Sequence, residues 1–143
     1  MADVVELIEQ DHRAVEQLFG QFAASKDATI AAQICDELTK HTRAEESAVY
    51  PVFRDRLSNG KDLIGEAETE HEQARQLIGR VRNTTDPNHL ASLMVELQDA
   101  IQHHVREEET EILPQARTEM SGSELGELGE QFEAAKQEEA RSR

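Results

Sequence analysis

The chain has few of the residues that build β-sheets or interrupt helices. Its 143 residues include no Trp, one Tyr and four Phe, so that aromatic side chains make up 3% of the total. A core without aromatic residues has to be built from Leu, Ile, Val and Ala, which favours helices over a β-sandwich. Only three Pro and seven Gly are available to break long helices. The composition therefore predicts an all-α fold.

Cysteine and long apolar runs are also scarce. Cys35 is the only Cys, which excludes an internal disulfide and leads us to expect a reducing, cytoplasmic location. No apolar run approaches the ~20 residues that a membrane span requires. The N-terminal segment is already acidic at Asp3 and lacks the apolar stretch of a signal peptide. We therefore expect a cytoplasmic protein without a membrane partner.

Positively charged residues are also few compared with acidic ones. Fifteen Lys and Arg face thirty Asp and Glu, which gives a net charge of −15. An acidic surface repels both the phosphates of nucleic acids and anionic lipid headgroups. We expect neither a nucleic-acid nor a membrane partner.

Apolar residues recur at intervals of three and four along most of the chain, which is the spacing of amphipathic helices. The spacing predicts four long helices, the first from Asp3 and the others over about residues 28–57, 63–81 and 89–118. Because short loops join them, we expect an up-down-up-down antiparallel four-helix bundle over residues 1–119. A weaker helical pattern follows in residues 120–143, for which we expect a short extra helix in a loosely held tail.

Three residues punctuate this pattern. Pro51 falls inside the second helix, where we expect a kink or an early end. Gly60 suits the C-terminal cap of that helix. Pro87 suits the first position of the fourth helix.

One phrase of the sequence is written twice. "HTRAEESAVYP" begins at His41 and "HVREEETEILP" begins sixty-three positions later at His104, with five of eleven residues identical. On a helical wheel His41 and Glu45 fall on the apolar stripe of the second helix, and His104 and Glu108 fall on that of the fourth. The Arg two residues after each His, and Glu46, should face water. Ionisable residues thus occupy positions that belong to the core.

A competing register exists on the fourth helix. His103 and Glu107 have the same His-x-x-x-Glu spacing as His104 and Glu108. They point more than a quarter turn away from the apolar stripe, and the repeat aligns His104 rather than His103 with His41. We expect His103 and Glu107 on the surface.

The first and third helices each add one inward His. His12 in "DHRAVEQLF" corresponds to His71 in "EHEQARQLI". Four His and two Glu then converge in one layer, and two buried carboxylates without a counter-charge are too costly to leave unpaired. A buried cation would neutralise both carboxylates. Six such ligands suit two metal ions about 3.5–4 Å apart, with iron favoured and manganese or zinc as alternatives.

These residues resemble the hemerythrin-like, or HHE cation-binding, family, most closely its small stand-alone bacterial members. The resemblance rests on His12, His41-x-x-x-Glu45, His71 and His104-x-x-x-Glu108. It implies a non-haem di-iron centre with an oxo or hydroxo bridge. Glu45 and Glu108 would bridge the irons. By the same resemblance His12 and His41 would serve one iron, and His71 and His104 the other.

One departure from the oxygen-carrying hemerythrins bears on the activity. Those proteins have a further His four residues after the one that His71 matches, where this chain has Arg75. Each iron would then have room for an exogenous ligand. The resemblance therefore implies a catalase-like or nitric oxide peroxidase enzyme, with an oxygen or nitric oxide carrier or sensor, or an iron storage or donor protein, as alternatives. The partners that it implies are small molecules, namely hydrogen peroxide, dioxygen or nitric oxide.

Other residues are weaker candidates for roles at the centre. Tyr50 and Glu68 are further candidate ligands, although Tyr50 needs a distorted helix at the following proline to reach the metals. Asp11 and Glu70 precede His12 and His71, and we name them as acceptors for the second ring nitrogens of those His. The alternative for both is a solvated surface acid.

Overall fold

A computed structural model describes residues 2–142, and within that range the chain is helical without a strand. The α-helices are α1 (Val4–Ser25), α2 (Ala28–Ala44), α3 (Tyr50–Arg56), α4 (Gly60–Asn83), α5 (Pro87–Glu107), α6 (Leu113–Glu119) and α7 (Gly122–Arg141). Two π-helical turns, π1 (Glu45–Val49) and π2 (Glu108–Ile112), join α2 to α3 and α5 to α6. The predicted helical bundle is confirmed at this level. None of these helices combines the length and the apolar character that crossing a membrane would need.

Side-chain caps fix where the helices begin. Asp3 and Ser121 each form a capping box with the Glu three residues on, at the starts of α1 and α7. Asp86 caps α5, and Pro87 follows it in the first turn, as predicted. Removing such a cap costs about 1 kcal/mol.

Each π turn ends two residues before a proline, at Pro51 and Pro114. In π1 the backbone N–H of Tyr50 donates to the carbonyl of Glu45, five residues back, and Leu113 repeats this bond with Glu108 in π2. A π turn holds one more residue than an α turn, and the wider turn accommodates a proline that has no N–H to donate. The helix therefore continues past Pro51 to Arg56, where a kink or an early end was expected.

The prediction for Gly60 is wrong. The preceding helix ends at Arg56 with Leu57 as its C-cap, and Gly60 is the first residue of α4. A Cβ at Gly60 would lie 2.2 Å from the carbonyl oxygen of Arg54. Glycine is needed there because the two chain segments approach so closely, and not because a helix is capped.

The apolar core forms two clusters. One surrounds Tyr50, Phe53 and Phe132, and the other surrounds Phe19 and Leu97. The inward His and Glu predicted from the sequence lie at the chain positions between these clusters, for example His12 between Ile8 and Val15. A polar layer therefore separates two apolar halves.

The expectation of a loosely held C-terminal tail is wrong. α7 has 20 residues and packs against α1, α2 and π1. The Phe132 side chain is fully buried, and Gly129 lets the helix backbone approach Val4. Burying one such aromatic side chain contributes about 2–3 kcal/mol, which holds the helix in place. The boundary that we drew after residue 119 stays a prediction.

Candidate metal centre

The six predicted ligand residues meet in one buried layer. The four His are at most 6% exposed, and Glu45 and Glu108 are not exposed at all. Their ligand atoms form two groups, each within 4.8 Å: His12, His41 and Glu108 in one, and Glu45, His71 and His104 in the other. The family resemblance implied that His12 and His41 serve one metal, and His71 and His104 the other; that assignment stays a prediction.

Each buried Glu lies between the two groups. Glu45 Oε1 is 3.2 Å from His41 Nε2 and 3.2 Å from His71 Nε2. Glu108 Oε1 is 3.0 Å from His12 Nε2 and 3.9 Å from His104 Nε2. A carboxylate that reaches an imidazole of each group has the placement expected of a bridging ligand.

Several inward atoms lack a hydrogen-bond partner among the described residues. These atoms are His12 Nε2, His41 Nε2, Glu45 Oε2 and Glu108 Oε1. His12 Nε2 and Glu108 Oε1 are near one another, but their geometry is not that of a hydrogen bond. His71 Nε2 and His104 Nε2 also face one another at 3.1 Å. These nitrogen and oxygen atoms are crowded together and shielded from water, and they are of the kinds that coordinate a cation. The arrangement is that of a metal-binding site.

The other ring nitrogen of every His contacts a carboxylate. The Nδ1 distances are 2.6 Å for His12 to Glu109, 2.7 Å for His41 to Asp11, 2.7 Å for His71 to Glu46 and 2.7 Å for His104 to Glu70. A carboxylate at Nδ1 places the proton on that nitrogen, which leaves Nε2 as the inward ligand atom. All four imidazoles are thus held in the same orientation, with Nε2 directed inward as the ligand atom once the ring is neutral.

The sequence indicated these carboxylates only in part. Asp11 and Glu70 do accept hydrogen bonds from the site, but from His41 and His104 on the neighbouring helices instead of from the adjacent His. Glu46 was expected to face water and instead accepts from His71, since π1 turns it towards α4. Glu109 was not singled out at all. The signal for Glu46 and Glu109 was the Glu-Glu pair present in both copies of the repeat.

Three of the four carboxylates also pair with a permanent cation. Arg13 pairs with Glu109, Lys136 of α7 is 2.7 Å from Asp11, and Arg75 is 3.0 Å from Glu46. Arg75, which replaces the expected His of oxygen carriers, thereby supports His71 through Glu46.

The fourth carboxylate has a different environment. Glu70 contacts His103, whose Nε2 lies 3.3 Å from its Oε2, and it shares a hydrogen bond with Glu107. That hydrogen bond between two carboxyl groups raises the pKa of Glu107 to about 7. The prediction that His103 lies on the surface is confirmed, because it is 60% exposed.

The buried charges shift the pKa values of the site residues. Burial lowers the pKa of His41, but the charge of Glu45 and the hydrogen bond with Asp11 outweigh it and raise the pKa to about 10. For His71 burial is likewise outweighed by hydrogen bonds with Glu45 and Glu46, which raise the pKa to about 9. Burial would raise the pKa of Glu45, yet the neighbouring His41 holds it well below the usual value. Glu45 thus holds its negative charge in the layer and attracts cations to it.

The two extra ligand candidates have opposite outcomes. Tyr50 is fully buried, and its hydroxyl oxygen lies 2.6 Å from Glu108 Oε2 and 3.4 Å from His71 Nε2. The extra residue of π1 rotates it by roughly a quarter turn towards the site. Glu68 instead is 39% exposed and pairs with Arg54 at 2.7 Å, so it lies away from the centre because its counter-charge is on the surface.

A cavity of about 560 Å³ connects one side of the layer to solvent. It lies between α1, α2 and α5, and its walls include His12, His41 and His104. Phe19, Leu38 and other apolar side chains alternate there with Arg13, Thr42 and Gln102. A small uncharged molecule can therefore reach the His12 and His41 side of the site.

The chain matches the family model of the hemerythrin HHE cation-binding domain over residues 3–116. An uncharacterised hemerythrin-like protein of Schizosaccharomyces pombe is 25% identical over 142 residues, which cover 95% of this chain and 70% of the relative. A Nostoc protein named DNA nickase is 27% identical over 139 residues, covering 94% of this chain but 39% of the relative. No solved structure gives a significant match.

Proposed function

The chain belongs to the hemerythrin family of HHE cation-binding domains, and on that premise we propose that it is a non-haem di-iron protein with peroxide-linked redox activity. The proposed ligands are His12, His41, Glu45, His71, His104 and Glu108. We infer that they hold an oxo- or hydroxo-bridged pair of irons within an up-down-up-down arrangement of the four long helical segments. The proposed activity is catalase-like disproportionation of hydrogen peroxide, or oxidation of nitric oxide by peroxide.

The observation that carries this proposal is the position of the two carboxylates between two equivalent imidazole pairs. Glu45 and Glu108 each approach one His of each group. Imidazole and carboxylate together suit iron among the first-row metals. Two irons supply, when bound, the redox exchange that peroxide chemistry requires.

The position of Arg75 favours an enzyme over an oxygen carrier. Its guanidinium pairs with Glu46 outside the buried layer, so that α4 contributes only one imidazole, that of His71, to the layer. Both groups then contain two imidazoles, and neither side has the extra His that makes the carriers' centre asymmetric. An oxygen or nitric oxide carrier is the second candidate, and iron storage is the third.

The residues of this chain have definite tasks in the proposed reaction. The carboxylates Glu109, Asp11, Glu46 and Glu70 orient the four imidazoles through their Nδ1 protons. Burial and the nearby carboxylates raise the pKa of Tyr50 well above its ordinary value. Its hydroxyl therefore stays protonated and donates a hydrogen bond to Glu108. The cavity between α1, α2 and α5 admits peroxide to the His12 and His41 side.

The prediction that nucleic acid is not a partner rests on charge. A net charge of −15 opposes binding to phosphates. The name of the Nostoc relative concerns a protein of which this chain matches 39%, and we propose no nickase activity for the shared domain.

The test is metal content and peroxide turnover in the purified, iron-loaded protein. We expect two irons per chain, a visible absorption spectrum that changes on adding peroxide, and oxygen release. His71→Ala should lose both iron and turnover. His89→Ala is the matched control, because His89 is exposed and contacts Thr84.

Three results would contradict the proposal. One iron per chain would exclude a paired site. Turnover no faster than that of free iron would exclude the enzyme, and a reversible oxygen-dependent absorption band would then favour the carrier. Bound zinc in the native protein would exclude all the redox functions.

A further inference from the structure

The four carboxylates around the buried layer are not equally neutralised. Asp11, Glu46 and Glu109 each pair with a Lys or an Arg. Glu70 has no such partner among residues 2–142, and its second oxygen faces His103. Glu70 is therefore the one of these four carboxylates that lacks a Lys or Arg partner among the described residues.

Three ligand atoms converge at that position. His103 Nε2 lies 3.3 Å from Glu70 Oε2 and 3.3 Å from Glu107 Oε1, and the three side chains offer ligand atoms that all lie within 4.8 Å. Glu70 is 11% exposed and His103 is 60% exposed, so the group opens to solvent. His103 and Glu107 are one helical turn apart, the same spacing that His104 and Glu108 use in the buried layer.

The duplicated sequence provides an internal comparison. The positions that match His103 and Glu107 in the first half are Lys40 and Ala44, sixty-three residues earlier. In that half the orienting carboxylate is Asp11, and Lys136 neutralises it. In the first half, Lys136 supplies a permanent positive charge and no His-Glu pair is present at the matching positions. In the second half, His103 and Glu107 are present and no Lys or Arg pairs with Glu70 among the described residues.

We propose that Glu70, His103 and Glu107 form a second metal site, on the surface of α4 and α5, that binds one divalent first-row transition-metal ion. One imidazole and two carboxylates suit Mn²⁺, Fe²⁺ or Zn²⁺, with water completing the coordination. The bound ion replaces the hydrogen bond between the two carboxyl groups with attraction to both. Glu66 and Glu111 border a surface depression that Glu70 and Glu107 also line. Their negative charges raise the local concentration of cations.

The outer ion and the buried layer share one side chain. Glu70 Oε1 accepts from His104 Nδ1 at 2.7 Å while Oε2 faces the outer group. An ion on Oε2 therefore acts on the carboxylate that orients His104. The outer group shares no ligand residue with the buried layer, so the proposal does not rest on the identity of the metal there.

Mn²⁺ is the probe, added to the purified protein with its own metal in place. The loss of the free Mn²⁺ signal in electron paramagnetic resonance measures binding. We expect one additional Mn²⁺ per chain, and at least ~10-fold weaker binding for His103→Lys and for Glu107→Gln, a change of about 1.4 kcal/mol. His103→Lys introduces the residue found at the matching position 40 and gives Glu70 a fixed cation.

Glu111→Gln is the matched control. It removes one negative charge beside the depression, as Glu107→Gln does, but Glu111 is not one of the three ligands. We expect its Mn²⁺ affinity to fall far less than that of Glu107→Gln, because only a neighbouring charge is lost and no ligand. Unchanged binding in His103→Lys, or equal losses in Glu107→Gln and Glu111→Gln, would overturn the proposal. The native metal content of each variant, measured in parallel, reports separately on the buried layer.

Discussion

The hydroxyl of Tyr50 donates a hydrogen bond to Glu108 over 2.6 Å, although 58 positions separate the two residues in sequence. The bond links the first copy of the repeated phrase to the second. The position that matches Tyr50 in the second copy is Leu113, which is buried but has no hydroxyl. Tyr50 is thus a polar group in the layer that has no counterpart in the other half.

Tyr50→Phe should destabilise the metal-free protein by about 2 kcal/mol, because a buried hydrogen bond to a charged group is lost while the ring remains. Urea unfolding followed by circular dichroism measures the change. Iron content should stay at that of the unmodified protein. A variant that keeps its full stability but loses iron would instead assign the hydroxyl to the metal ions.

Arg75→His tests the consequence of the missing imidazole. Replacing the Arg removes the cation that pairs with Glu46 and adds a His one turn after His71. We expect peroxide turnover to fall by at least ~10-fold, together with a new oxygen-dependent absorption band in the reduced protein. Arg75→Gln is the control, since it removes the same ion pair without adding a ligand. If both variants behave alike, the ion pair and not the imidazole determines the chemistry.

Asp11→Asn should weaken metal binding by roughly 10- to 100-fold, the usual effect of removing a carboxylate that orients a ligand His. Lys136→Met should have a smaller effect in the same direction, because it acts on His41 only through Asp11. Competition with a chromophoric chelator measures both affinities. Arg43→Met is the control, since Arg43 pairs with Glu139 on the surface. A loss in the control as large as that in Lys136→Met would indicate a general effect of charge.

The stability of the metal-free protein should fall as the pH rises. The folded-state pKa values of His41 and His71 are raised from 6.5 to about 10 and about 9. Their contribution is therefore fully present below pH 6.5 and is lost as the pH rises through 9 and 10. The lowered pKa of Glu45 acts in the opposite direction and removes stability as the pH falls below 4.5, the ordinary pKa of a Glu carboxyl. Thermal melts between pH 4 and pH 10 (roughly the window set by these pKa values) should show the highest melting temperature in the weakly acidic range.

Metal binding should release protons over the same range, because a ligand His has to be neutral at Nε2. Calorimetry in buffers of different ionisation enthalpy counts the protons. A melting temperature that rises steadily from pH 6 to pH 9 would contradict both expectations.

The helical fold and the six inward residues could be predicted because both depend on periodicity. His41 and Glu45 lie four apart on an apolar stripe, and so do His104 and Glu108. Burial of ionisable residues on such a stripe is a strong signal, since few structures can offset its cost. The repeat identified the correct register on α5, where spacing alone allowed two.

The residues that were missed, or named only as weak candidates, depend on local departures from periodicity. Tyr50 and Glu46 face the site because π1 adds a residue to one turn, and no count of α-helical intervals includes that residue. α7 was underrated because its glycines lower helix propensity, whereas the contact at Gly129 uses the missing side chain for close packing. Packing of this kind follows from the meeting of distant segments, which a single sequence does not record.

The ion pair between Lys136 and Asp11 has a consequence for the order in which the centre matures during synthesis. Every inward residue, from His12 to Glu108, leaves the ribosome before Lys136, because chains emerge from the N-terminus. His41 therefore acquires its complete support, through Asp11, only after residue 136 has been added and α7 has folded back. The His71 half needs nothing beyond residue 108, so a nascent chain can assemble that half first.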